Sequence, residues 1–116
     1  MEAVVVSDIT QLDLTESRQP IYDQPVRVGK VYEDPDTGAE HYIVEYPAGM
    51  RATSHTHTAA QTIIVLQGQL NANGQQLGPG GYAHFPGGAV MHHEPAGEVG
   101  CTFVSIFDGP LDVIPE

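Results

Sequence analysis

An all-β fold, a sandwich or barrel of short strands, is predicted by three features of this 116-residue sequence. No window sustains the apolar period of an amphipathic helix. Several short segments instead alternate polar and apolar residues, as strands do when one face is buried. Thirteen Gly and nine Pro punctuate the chain at intervals suited to strands and tight turns.

The elements follow in order. Residues 1–24 read as an irregular N-terminal segment, with an edge strand expected around "EAVVV". The barrel is expected over residues 25–116. "VRVGKVYE" alternates, "DPDTG" turns, and "HYIVEY" alternates again, a hairpin signature. "TIIVLQGQLNA" runs into "NG", a strong two-residue turn signal, and returns as "QQLGPGGYAHF". "GCTFVSIF" supplies the last long strand before "DGPLDVIPE". The length suits a single domain with one core.

Composition excludes some functions. Four Lys plus Arg against fifteen Asp plus Glu give a formal charge of −11. Phosphate backbones and anionic lipid surfaces call for basic patches, so no nucleic acid or membrane partner is expected. There is no basic, apolar leader, and no apolar run reaches membrane-spanning length, which predicts a cytoplasmic protein. The lone Cys101 lies in an apolar run and reads as a buried thiol with no internal disulfide partner.

The chemistry is concentrated in "AGMRATSHTHTAAQTIIVLQG". Side chains at i and i+2 of a strand share a face, so His55 and His57 point to one spot about 6 to 7 Å apart along the strand. Gln61 follows at the mouth of the next strand. Imidazole nitrogens and an amide oxygen converging inside a barrel suit a divalent transition metal. No G-x-S-x-G, P-loop, G-x-G-x-x-G or C-x-x-C motif competes with this reading.

Gly49, His55, His57, Gln61 and Gly68 stand in the order G-x5-H-x-H-x3-Q-x6-G. This resembles the first motif of the cupin superfamily, with Gln where most cupins carry Glu. Gly80, Pro86 and Gly88 match the second motif, G-x5-P-x-G-x2-H, but its histidine position holds Met91, and His92 and His93 follow. "VRVGKVYEDPDTGAEHYIVEYPAG", "LGPGGYAHFPGG" and "GCTFVSIFDGP" are similar to the ChrR-type branch, so the resemblance covers roughly residues 25 to 112.

The resemblance implies a single-domain cupin jelly-roll β-barrel. It also implies one divalent metal ion (Fe, Mn, Ni or Zn), held by His55, His57, Gln61 and His92, with His93 as the other candidate for the last position. Gln rather than Glu leaves the ion its full charge. Tyr42 and Val44 are expected to face the metal; Ile63 and Val65 to supply an apolar wall; Phe103 and Phe107 to close it. His93 is a candidate proton carrier and Arg51 a candidate anchor for an anionic substrate. His41 and His84 read as exposed.

The implied function is a metal-dependent enzyme acting on a small oxygenated organic molecule, a dioxygenase cleaving a C–C bond. The alternatives are a lyase similar to the manganese-dependent cupin hydroxynitrile lyases, and a non-catalytic metal- or ligand-sensing module. A homodimer is expected by analogy with small cupins.

Overall fold

The computed structural model describes residues 4–116, and the all-β expectation is met. After a short 3-10 turn at Ile9–Gln11 come β1 (Thr15–Ser17), β2 (Val26–Glu33), β3 (Glu40–Tyr46), β4 (His55–Thr56), β5 (Gln61–Gly68) and β6 (Leu70–Ala72). They continue as β7 (Gln75–Leu77), β8 (Tyr82–Phe85), β9 (His93–Pro95), β10 (Cys101–Phe107) and β11 (Ile114–Pro115). The main sheet has the order β1-β2-β3-β10-β5-β8, every pairing antiparallel, while β7-β6-β9 and β11-β4 form two smaller sheets. The hydrogen-bonded ladders do not close on themselves. A single apolar cluster joins the layers into a jelly roll, running from Val44, Val65 and Phe103 of the main sheet to Leu70, Ala72 and Met91 opposite.

The central strands alternate as the sequence dictates. Cys101, Phe103, Ser105 and Phe107 of β10 point inward, and so do Gln61, Ile63 and Val65 of β5. β3 departs from simple alternation, because Ile43, on the outward face, is also buried. The cause is the N-terminal segment, which lies across that face. Gly29 lets it come close: a Cβ there would stand 2.9 Å from Leu14 Cδ2 and 3.1 Å from Ile43 Cγ2. The edge strand expected around "EAVVV" is absent at Val4–Val6, which are exposed coil, and residues 2 and 3 lie outside the described residues. The sheet edge is β1 instead, paired with β2 from Thr15↔Val28 to Ser17↔Val26.

One glycine-bearing turn and one isolated bridge hold the segments that carry the histidines. Gly88, at φ +80°, donates its N–H to His57 O at 2.8 Å, and a Cβ on Gly87 would lie 2.5 Å from Thr58 O. The "PGG" turn after β8 can therefore press against the backbone just after β4 only because Gly87 lacks a side chain. On the other side, His55 exchanges both backbone hydrogen bonds with Met91 at 2.9 Å. Among the described residues, no helix is long and apolar enough to cross a membrane.

Candidate metal centre

His55 and His57 share a face, as the i, i+2 spacing requires, with ring centroids 4.9 Å apart. The third ring beside them is His93, 5.0 Å from His55. Each of the three offers a nitrogen within 4.8 Å of the others, and all three are buried. His92 does not join them. It is half-exposed, with Nε2 2.8 Å from Ala52 O and 3.4 Å from Glu94 Oε2. The expectation that His92 turns inward is thus corrected in favour of His93, and the reason is strand parity. The motif's expected position, Met91, points inward at 1% exposure. One residue later faces out and two residues later faces in again, so the His shifted by two recovers the interior.

Partners fix each ring. His55 Nδ1 lies 3.0 Å from Thr53 O, and His57 Nδ1 bonds to Asp112 O. A carbonyl can only accept, so both rings carry their proton on Nδ1 and leave Nε2 as a lone pair. His93 Nδ1 lies 2.7 Å from the Tyr46 hydroxyl, which lies 2.8 Å from that of Tyr22. Gln61 donates Nε2 to Ser105 Oγ at 2.8 Å, which orients its amide with Oε1 free. Four buried atoms consequently have no hydrogen-bond partner among the described residues: Nε2 of His55, His57 and His93, and Gln61 Oε1.

Buried polar atoms are rarely left unpaired, and three imidazoles gathered within 4.8 Å, with Gln61 Oε1 also unpaired, suit a positively charged occupant. The donor set fits a divalent transition ion. Desolvation by burial lowers the pKa of His55 and His57 below the ordinary imidazole value. At His93 burial and the neighbouring rings push it down further. All three are therefore neutral at physiological pH, the form in which an imidazole binds a metal.

His57, His93 and Gln61 border a cavity of about 220 Å³, whose apolar side chains include Val44, Phe103 and Phe107, while His55 sits behind it, packed against the other two rings. Ile63 and Val65, expected in that wall, instead belong to the packed core. Tyr42 lines the cavity with its ring edge-on to Phe107 at 6.2 Å, and burial followed by contact with Glu40 raises its phenol pKa. Arg51 lies elsewhere. It is exposed on the outer surface, with Nη1 3.4 Å from Glu94 Oε1, and takes no part in lining the cavity. His84 is exposed and His41 half-buried against Tyr32.

Three features escaped the sequence reading. Glu94 is nearly buried and accepts from Ala52 N at 3.0 Å, tying β9 to the loop that enters β4. The C-terminal segment straps the cavity: β11 pairs with β4, Leu111 and Val113 line the wall, and the Asp112 carboxylate accepts from Thr58 N at 2.8 Å and from its hydroxyl. Tyr22 and Tyr46 complete the third. Cys101 is buried, and its thiol pKa is pushed up to about 12 by that burial.

The jelly roll and its inward histidine cluster define a cupin with a candidate metal centre. The model of the ChrR cupin-like domain matches residues 5–111, so the chain belongs to the ChrR cupin-like family. No curated protein matches it by sequence. Among solved structures, it is similar to an acetylacetone dioxygenase from Acinetobacter johnsonii, with 21% identity and a TM-score of 0.76 over 100% of this chain and 79% of that one. The polyketide cyclase RemF from Streptomyces resistomycificus superposes with a TM-score of 0.75 at 20% identity, over 99% of this chain and 84% of that one. The complex of Rhodobacter sphaeroides SigE with the anti-sigma ChrR matches with a TM-score of 0.62 at 18% identity, over 72% of this chain and 44% of that one. At such identities these likenesses establish the fold alone.

Proposed function

We propose that this chain is a mononuclear metal-dependent enzyme acting on a small oxygenated organic molecule, and that its reaction is dioxygenation with cleavage of a C–C bond. The observation that carries this reading is the set of four buried atoms without a partner among the described residues, His55 Nε2, His57 Nε2, His93 Nε2 and Gln61 Oε1, three of whose residues line the cavity. The likeness to an acetylacetone dioxygenase points the substrate toward 1,3-dicarbonyl compounds.

In this reading His55, His57 and His93 hold the ion and Gln61 supplies the fourth donor. A divalent ion supplies Lewis acidity and, if redox-active, access to dioxygen chemistry. The protein does the rest. Thr53 O and Asp112 O hold His55 and His57 in the metal-binding tautomer, and the Tyr46 hydroxyl, which can accept from Nδ1, orients the ring of His93. Phe103, Phe107 and Val44 keep water from the reacting molecule. Imidazoles and an amide bring no charge, so the ion keeps its own, which favours binding of an anionic enolate. The homodimer and the cytoplasmic location belong to the same proposal.

The test is oxygen uptake by the Fe(II)-loaded protein with acetylacetone and other 1,3-diketones. Consumption of one O2 per diketone, both atoms entering the two fragments, is expected. The neutral Gln61 donor favours one second reading, a manganese-dependent lyase. Cyanide release from a cyanohydrin by Mn(II)-loaded protein, without any oxygen uptake, would replace the first reading with it. A tight complex with a sigma factor and no turnover would leave a sensing module.

A further inference from the structure

Tyr22 lies outside both histidine-bearing stretches, in the segment ahead of β2. Its backbone bridges to Ala52, and its N–H bonds to Gln19 O at 3.0 Å. The ring meets Tyr46 edge-on at 5.4 Å and lines the same cavity as Ser17, Gln19, His93 and Gln61. What matters is the direction of the chain Tyr22–Tyr46–His93. Each hydroxyl has one proton to give, so the direction is decided at the histidine. An Nε2 lone pair at His93 requires the proton on Nδ1, donated to Tyr46 Oη. Tyr46, buried with no other acceptor among the described residues, then donates to Tyr22 Oη. The Tyr22 proton is left over, and among the described residues no acceptor stands for it.

Resting on the reading of His93 as a metal ligand, we propose that Tyr22 is a substrate-binding residue: its hydroxyl donates to an oxygen of the molecule in the cavity. The substrate then needs two oxygens, one toward the metal centre and one reaching a phenol two hydrogen bonds removed from His93. Small dicarbonyls and their enols have that shape, whereas monofunctional hydrocarbons, alcohols and ketones do not. Burial pushes the Tyr22 pKa up to about 12, so the phenol stays a donor at any physiological pH.

The test uses cobalt(II)-loaded protein without oxygen, titrated with acetylacetone or with imidazole and followed by its visible ligand-field spectrum. Imidazole binds through nitrogen and has no oxygen for Tyr22 to reach. In Tyr22→Phe, acetylacetone affinity should fall about tenfold, the loss of one hydrogen bond to a charged or polarised oxygen. Imidazole affinity and cobalt content should be unchanged. Equal acetylacetone affinity in the two proteins would overturn the assignment. So would an equal loss for both probes, or a loss of cobalt, since the hydroxyl would then serve the fold or His93 rather than the ligand. Failure of the unmutated protein to take up cobalt or to bind acetylacetone would overturn the metal-centre or dicarbonyl reading itself, and this assignment with it.

Discussion

If the proposed centre binds an ion, removing that ion should strongly destabilise the protein. Each of the four unpaired buried atoms carries a cost of about 1 to 3 kcal/mol when no partner faces it, or about 4 to 12 kcal/mol together. An ion bound only by the native state adds stability as RT ln(1 + [L]/Kd), about 4 kcal/mol at a thousandfold excess over Kd. The two figures meet at the lower end of the first. At roughly 4 °C per kcal/mol for a domain of this size, Tm should rise by about 15 °C between chelator-treated and metal-saturated protein. Differential scanning calorimetry with EDTA, then with Fe(II), Mn(II), Ni(II) or Zn(II), measures it directly. His55→Ala should abolish the metal-dependent increment, because the remaining donors are too few for a tight site. A Tm that ignores all four metals, or an increment that persists in His55→Ala, would refute the assignment of these atoms as donors.

Other expectations follow from the same geometry. In metal-free protein, burial lowers the pKa values of His55, His57 and His93, so the unfolded chain takes up protons first. Stability is then fully present above the ordinary imidazole value near 6.5 and falls as pH drops below it, by as much as about 4 kcal/mol per unit if all three titrate together. Urea unfolding at pH 7 and pH 5.5 should show that sign, and equal stability at both would contradict it. Asp112→Ala releases the strap from Thr58 but keeps the main-chain oxygen that His57 bonds, so it should weaken metal affinity in a chelator competition by less than the roughly tenfold that loss of a ring support costs. Arg51→Ala removes an exposed guanidinium 3.4 Å from the nearly buried Glu94 carboxylate, which keeps its bond from Ala52 N, so Tm should fall by no more than a few degrees and acetylacetone affinity should not change. Gly68→Ala should lower Tm by 10 °C or more on the same rough conversion: Gly68 has φ +77°, and a Cβ there would lie 1.9 Å from Gly100 O.

The sequence made the fold legible because each long strand carries its own alternation and most of the turns announce themselves. The first histidine pair was legible for the same reason, since i, i+2 on a strand admits one geometry. The third was misassigned between adjacent residues. The choice needed only the observation that the inward face returns every second position, so that a shift from Met91 lands on His93 rather than His92. Residues that meet across long sequence separations were not legible. Asp112 reaches His57 over 55 positions and Tyr46 reaches His93 over 47, and neither carries a local signature. Arg51 misled because a scarce cation invites a functional role; its nearness to Glu94 is set by how the loop entering β4 lies against β9.

The supports behind the three imidazoles differ in how mutation can reach them. Thr53 and Asp112 hold their rings through main-chain oxygens, which every amino acid possesses, so changing those side chains leaves the acceptor chemically in place. His93 depends on a phenol at position 46, which a single base change can delete. Genetic drift should therefore find this centre's weak leg at Tyr46, and relatives in which that position has lost its hydroxyl are where a catalytically silent member of the lineage should be sought.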